Sequence, residues 1–383
     1  MEQWKTYEFK KIVNLSKEKY NPKKENTNLP CIELEHIESE TGRLLGYANS
    51  IEQQSIKNRF KPSNVLYGKL RPYLKKYFFS NFEGVCTSEI WVLDSVKGRI
   101  ENKFLFYLIQ TNRFNENANK SSGTKMPRAD WNYVSNLIFT IPPIKEQQKI
   151  ASILYTWDNA IDLKEKLIEQ KKEQKKGLME KLLTGKVRLS GFEGIWQEVK
   201  LGTVFKERKE TGYEHLELLA ITSQKGVVKR TEVDIKDNSS ADKSKYKRIL
   251  PNDIGYNTMR MWQGVSGVSK YEGIVSPAYT ILQPSDKVDS NFMGYLFKLP
   301  QVVNLFKRYS QGLVSDTLNL KYENLKNIKV PIPLDVKEQQ SVSNVLMCID
   351  KEIELLVKEI ETIKLQKKGL IQLLLTGKVR VKV

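Results

Sequence analysis

Lys145-Glu146-Gln147-Gln148 and Leu183-Thr184-Gly185-Lys186-Val187-Arg188 decide the fold, because both stretches return. The first recurs as Lys337-Glu338-Gln339-Gln340 and the second as Leu375-Thr376-Gly377-Lys378-Val379-Arg380. An interval of 192 residues separates Glu146 from Glu338 and also Gly185 from Gly377, so no gap falls between them. Upstream, Trp4 and Phe9 align with Trp196 and Leu201, and Ile141-Pro142 aligns with Ile332-Pro333 after a one-residue slip. Two copies of one design are fused in one chain, which implies a pseudo-two-fold axis.

The duplicated stretches read as long helices. From Val342 the apolar positions run Leu346, Ile349, Ile353, Leu356, Ile360 and Ile363, then Leu370 and Leu374, with Lys367 interrupting. Steps of four and three make the heptad seam of a coiled coil. In the first copy Ile150, Leu154, Trp157, Ile161 and Ile168 follow the same seam, and Lys171 and Lys175 occupy its next two places before Leu178 and Leu182. Those lysines argue against a continuous dry core. Pro142-Pro143 mark the first helix start, and Asp335 with Glu338 suggests a capping box for the second. Glu146 and Glu338 suit the positive pole of a helix, while Gly185 and Gly377 suit the left-handed position after its end.

Between the helices lie segments of mixed character. Val85-Cys86-Thr87-Ser88-Glu89-Ile90-Trp91-Val92-Leu93 reads as strand, and Phe104-Leu105-Phe106-Tyr107-Leu108-Ile109 as a helix packed on a sheet. Asp253-Ile254-Gly255-Tyr256 and Phe292-Met293-Gly294-Tyr295-Leu296-Phe297 are their kind in the second half. The expected class is α+β: a globule over residues 1–140, a first spacer helix region over 141–189, a second globule over 190–331 and a second spacer helix region over 332–383. Two matched helices separated by a globule can return on each other as an antiparallel pair.

A chain of 383 residues has room for such domains, and its formal net charge of +18 predicts a polyanionic partner, nucleic acid or an acidic membrane surface. No apolar run approaches the ~20 residues of a membrane span, and Met1-Glu2-Gln3-Trp4-Lys5 lacks the apolar core of a signal peptide, so the cytoplasm is expected. Cys31, Cys86 and Cys348 form neither a disulfide framework nor a metal knuckle, and His36 and His215 read as surface or packed histidines. No glycine precedes Gly185 at the spacing a phosphate loop requires, and no Asn-Pro-Pro-Tyr motif or glycine-rich cofactor loop occurs. The acidic residues near Pro251-Asn252-Asp253 lack the lysine partner of a nuclease. The expectation is a chain with no catalytic residue, metal or cofactor of its own.

Basic, aromatic and amide side chains cluster in both globules. In the first, Lys69, Arg71, Tyr73, Lys75 and Lys76 share a hairpin-like stretch, and Ser122, Thr124, Lys125 and Arg128 form a loop before the first helix. In the second, Asn257, Arg260, Trp262, Gln263, Ser266 and Lys270 share a loop, and Lys307, Arg308 and Gln311 precede the second helix. Arg and Lys suit guanine and phosphate, Asn and Gln suit adenine, and Ser or Thr suits either. Any one of them can equally be a solvated loop residue. Their recurrence in both halves of so basic a chain favours nucleic acid.

Lys-Glu-Gln-Gln opening a helix that closes on Leu-Thr-Gly-Lys-Val-Arg, twice, resembles the specificity (S) subunit of type I restriction-modification systems. Tyr67-Gly68-Lys69-Leu70-Arg71-Pro72-Tyr73-Leu74, Met259-Arg260-Met261-Trp262-Gln263-Gly264 and Gly273-Ile274-Val275-Ser276-Pro277-Ala278-Tyr279 look like that family too. The resemblance implies two target-recognition domains, each reading half of a split, asymmetric site in double-stranded DNA, with an antiparallel helical spacer between the halves. It implies two methyltransferase (M) subunits carrying S-adenosylmethionine, and restriction (R) subunits, with ATP and Mg also on the partners. Competing readings are a standalone nuclease or methyltransferase with duplicated DNA-binding domains, and a membrane-surface or structural coiled-coil protein.

Overall fold

The computed structural model describes residues 3–120, 126–223, 225–233 and 242–382. Packing divides the chain into two units, residues 1–165 with 358–383 and residues 166–357. Five helices organise them: α1 (Asn102–Leu108), α2 (Ile144–Leu182), α3 (Ser290–Leu296), α4 (Pro300–Tyr309) and α5 (Val336–Leu375). Each unit holds one globule and a part of both long helices, α2 and α5.

In unit 1, Lys5–Glu8 pairs antiparallel with Ile138–Ile141, so the globule's two ends meet beside the start of α2. A four-stranded sheet runs in the order Val13–Leu15, Ile90–Ser95, Val65–Gly68, Tyr77–Phe79. A five-stranded sheet is built from Lys19–Tyr20, Lys57–Phe60, Gly84–Cys86, Pro30–Ile32 and Ala48–Asn49. Phe104, Leu105 and Leu108 of α1 share a core with Tyr67 and Trp91 of the four-stranded sheet, with Ile150 and Leu154 of α2, and with Ile371 and Leu374 of α5. Burying an aliphatic side chain of this size stabilises by ~1.5–3 kcal/mol, so the helices are part of the globule's core.

Unit 2 repeats the plan. Trp196–Lys200 pairs with Lys329–Pro333, and a four-stranded sheet runs Phe205–Glu207, Tyr279–Pro284, Ile254–Asn257, Ser266–Val268. Phe292 and Leu296 of α3 pack with Leu182 of α2 and with Val342 and Leu346 of α5. Around this frame the loops and smaller sheets differ from those of unit 1.

Within each unit the two long helices run antiparallel. In unit 1 Asp158 pairs with Lys367, Lys164 with Glu359 at 2.8 Å and Glu165 with Lys364 at 2.7 Å. In unit 2 Lys171 pairs with Glu352 at 3.0 Å and Lys175 with Asp350 at 2.6 Å. Lys171 and Lys175, the interruptions in the first seam, are therefore half-buried members of ion pairs whose carboxylates come from the other helix. Tyr107 donates to Asp158 at 2.7 Å and Tyr295 to Asp350 at 2.6 Å. The ammonium groups of Lys367 and Lys175 lie over those tyrosine rings, 5.7 Å and 5.0 Å from the centroids.

The duplicated motifs themselves form a clasp. Glu338 does not complete a capping box: Asp335 alone caps α5, accepting from the Lys337 N–H at 2.9 Å. The Glu338 carboxylate instead accepts from Arg188 at 2.9 and 2.6 Å and from Trp196 Nε1 at 3.3 Å. In unit 1 Glu146 accepts from Arg380 at 2.7 Å on both oxygens and from Trp4 Nε1 at 3.2 Å. Gly185 and Gly377 turn the helix ends at φ +69° and +75°, and a Cβ on either would come within 3.2 Å of the Trp196 or Trp4 ring. Gln147 donates to the carbonyls of Arg99 and Pro142 and accepts from the Glu101 N–H, all at 2.8–2.9 Å. Gln339 makes the equivalent set with Lys287, Pro333 and Asp289. Among the described residues, no helix is long and apolar enough to cross a membrane.

Burial works against ionisation of Glu146, and the bonds and charge of Arg380, with the Trp4 indole, outweigh it and hold the carboxyl below its ordinary value of 4.5. Arg380→Ala leaves that carboxylate buried without its cation, and the urea midpoint at pH 7 should fall clearly below that of the wild type. A carboxyl whose folded value is depressed contributes stability above its unfolded value and loses it as pH falls through the folded one. The acid loss should therefore be steeper in the wild type than in Arg380→Ala; equal slopes would refute the clasp's role.

Candidate nucleic-acid interface

In unit 1 the hairpin strands Val65–Gly68 and Tyr77–Phe79 are joined by a loop containing a single 3₁₀ turn, Pro72–Leu74. Arg71 and Lys75 flank the turn in the left-handed region, φ +51° and +47°, a conformation non-glycine residues hold only when their surroundings impose it. The imposition is visible in three backbone bonds. The Lys69 N–H donates to Glu89 O at 2.9 Å, the Arg71 N–H to Pro127 O at 2.8 Å, and the Ala129 N–H to Lys69 O at 2.8 Å. Lys69, Arg71 and Arg128, from two segments distant in sequence, are thereby brought together.

Two of these three bonds have counterparts in unit 2, while the Arg260 N–H turns back to Asn257 O at 3.0 Å. Thr258 N–H donates to Ala278 O at 3.3 Å, and Leu320 N–H donates to Thr258 O at 2.9 Å. In order along the loop Arg260 answers to Arg71, Trp262 to Tyr73 and Gly264, at φ +76°, to Lys75, but Arg260 has φ −131° where Arg71 has +51°. Both arginines are exposed. Tyr73 is 53% exposed, while the Trp262 indole is half-buried and donates to Met259 O at 3.0 Å. Each loop thus presents an arginine and an aromatic ring two residues on. The sequence hid this pairing because Arg71 and Arg260 are 189 residues apart, not 192.

Several of the other candidate side chains are already engaged. Lys75 pairs with Glu40 at 2.6 Å, and that hydrogen bond outweighs burial in holding the Glu40 carboxyl below its usual range. Lys76 donates to Leu34 O at 2.6 Å, so these two lysines fasten the hairpin to the 34–40 segment. Arg128 is exposed yet forked onto Glu89 at 3.0 and 3.2 Å, which raises its already high affinity for a proton. Asn257 accepts from the Met259 N–H at 3.0 Å. Ser266 is not a loop residue: it lies in a strand, 1% exposed, with its hydroxyl on Gly264 O at 3.3 Å. Lys270 lies beyond the end of Ser266–Val268 remote from Arg260, whereas Gln263 is exposed within the loop.

Lys307 and Arg308 are exposed in the last turn of α4, and the exposed Gln311 is backbone-paired with Asn319 at 2.8 Å in both directions. Ser122, Thr124 and Lys125 lie outside the described residues. Two exposed apolar side chains next to Gln311 carry no polar sequence signal: Leu313 is fully exposed and Val314 60% exposed. Asp253, weighed above as a nuclease carboxylate, is buried against Arg208 at 2.7 Å. His36 Nδ1 accepts from the Glu33 N–H at 3.0 Å. Among the described residues no group of three His, Cys, Asp or Glu side chains is arranged to hold a metal.

The family model for the type I restriction modification DNA specificity domain matches twice, over residues 1–172 and 194–365. The type I restriction enzyme MjaVIII specificity subunit of Methanocaldococcus jannaschii is 29% identical over 334 residues, covering 79% of this chain and 76% of that protein. The crystal structure of the HsdS subunit from Thermoanaerobacter tengcongensis has a similar fold, with a TM-score of 0.54 at 17% identity over 98% of this chain and 97% of that one. The type I restriction-modification S subunit from M. genitalium gives 0.56 at 15% identity over 97% and 96%.

Arg71→Ala should weaken binding to duplex DNA about ten-fold and flatten the dependence of log affinity on log salt by about one unit, as loss of one phosphate contact does. Lys75→Ala should leave both quantities nearly unchanged and lower thermal stability instead. Fluorescence anisotropy across a salt series separates the two; an equal loss for both variants would count against the pinned-loop assignment.

Proposed function

The chain belongs to the type I restriction-modification specificity family and is a DNA-specificity subunit, and from that premise we propose that its two units read the two unlike halves of a split, asymmetric duplex site. The observation that carries the reading is the pair of loops pinned by corresponding backbone bonds at Lys69 and Thr258 but furnished differently. One carries Lys69, Arg71 and Tyr73, the other Thr258, Arg260 and Trp262, with Gln263. Shared pins at Lys69 and Thr258 hold the two loops at corresponding places, and different side chains answer different base edges. The net charge of +18 supplies the sequence-independent attraction to phosphate.

The subunit recognises, and the chemistry belongs to its partners. Two methyltransferase subunits, carrying S-adenosylmethionine, assemble on the duplicated helical segments, one for each copy of the clasp. Restriction subunits bring ATP and Mg²⁺, and the complex acts in the cytoplasm, where the DNA is. A duplicated scaffold supports this stoichiometry, because a repeated surface offers a repeated contact.

Replacing residues 3–140 by the corresponding domain of another family member should change one half of the methylated motif and leave the other half as it was. Methylation mapping of a host carrying the chimaera reads the outcome directly. Changes in both halves would overturn the assignment of one half-site to each unit.

A further inference from the structure

Lys298 follows α3 and reaches under the loop that carries Arg260 and Gln263. Its ammonium group donates to Gly264 O and to Ser266 O, each at 2.7 Å, the two carbonyls that close the loop onto the strand Ser266–Val268. Gly264 sits tightly there: a Cβ on it would lie 3.0 Å from Val303 Cγ2 of α4. Among the described residues no carboxylate bonds Lys298. The charged groups facing it are Lys175 of α2, itself paired with Asp350 of α5, and beside them the Tyr295 hydroxyl of α3, which donates to the same Asp350. The loop carbonyls and Val303 are neutral.

We propose that Lys298 is a positioning residue for DNA reading by unit 2, its ammonium group holding the 258–264 loop in the form that presents Arg260 and Gln263 to a half-site. The inference rests on the reading of this loop as a DNA contact. A cation gathering two carbonyls makes charge-assisted bonds, stronger than those of a neutral amine. Burial, with the nearby Lys175 charge, lowers the Lys298 ammonium to about 8, so the anchor weakens over an accessible pH range. The contribution of this lysine to folding stability moves the other way. A lysine whose folded value lies below its ordinary 10.5 binds fewer protons folded, and its contribution rises between pH 8 and 10.5. Weaker half-site reading with undiminished folding is a signature that general unfolding does not give.

Unit 1 is the internal control. Gln110 stands three residues after Tyr107, as Lys298 stands after Tyr295, and it donates back to Phe106 O of α1 at 3.0 Å. Lys75 and Lys76 hold that hairpin through Glu40 and Leu34 O instead.

The test selects a randomised duplex library with the native complex at pH 7 and pH 9 and sequences the bound fraction. Arg260→Ala first marks which half-site the loop reads. For the wild type, preference at that half should fall about five-fold at pH 9 and stay constant at the other half, the scale of losing a charge-assisted bond. Lys298→Met should show the reduced preference at both pH values, and Lys298→Arg should keep the preference at pH 9. The wild-type profile needs no variant, so misfolding of Lys298→Met leaves the test intact. If Arg260→Ala alters neither half, the DNA reading of the loop is wrong. If it erases one half while the wild-type preference there is the same at pH 7 and 9, or Lys298→Met matches wild type, the role of Lys298 is overturned and the loop reading stands.

Discussion

A buried carboxylate at the first turn of each long helix constrains everything around it. Glu146 and Glu338 are 2% and 1% exposed, and an unpaired charge so placed would destabilise the fold by several kcal/mol. Each is answered by an arginine from the segment following the other long helix, and each also receives a tryptophan indole from the strand that opens the globule. One side chain thus ties three segments together. The glycine three residues before each arginine is the complement, since its left-handed turn and missing Cβ let the tryptophan lie flat against the helix end.

The helix pairing obeys a second electrostatic rule. Tyr107, Asp158 and Lys367 in unit 1 correspond to Tyr295, Asp350 and Lys175 in unit 2, with the lysine in each drawn from the helix opposite its aspartate. Burial and the neighbouring aspartate push both tyrosine hydroxyls well above their ordinary range, so they remain donors at any physiological pH. A polar seam of this kind contributes less stability than a dry one and more register. A slip by one residue would leave half-buried lysines facing apolar side chains.

Scaffold and reader are separated on this frame. The backbone bonds at Lys69 and Thr258 that pin the two exposed loops correspond in both units, and each loop displays an arginine followed two residues on by an aromatic. The side chains beyond those positions do not correspond. Lysines at 69, 75 and 76 stand where unit 2 has threonine, glycine and valine. Such an arrangement lets reading residues change without disturbing the core, because the pins are main-chain atoms that any side chain leaves in place.

The repeat, the two long helices, their glycine ends and the positive charge are all local or periodic properties, and the sequence determined them by itself. So were the arginine and aromatic residues of both loops recognisable as a type. What the clasp glutamates bond, why lysines sit in the first seam, and that Ser266 is buried were decided by the tertiary structure. Glu146 meets Arg380 across 234 residues, Glu338 meets Arg188 across 150, and Lys175 meets Asp350 across 175. A charge in a helix signals its own local preferences, a dipole or a cap, but its partner is set by which segments the core brings within about 3 Å. The equivalence of Arg71 and Arg260 was hidden for the same reason: loops absorb insertions that shift numbering, whereas backbone hydrogen bonds fix position in space.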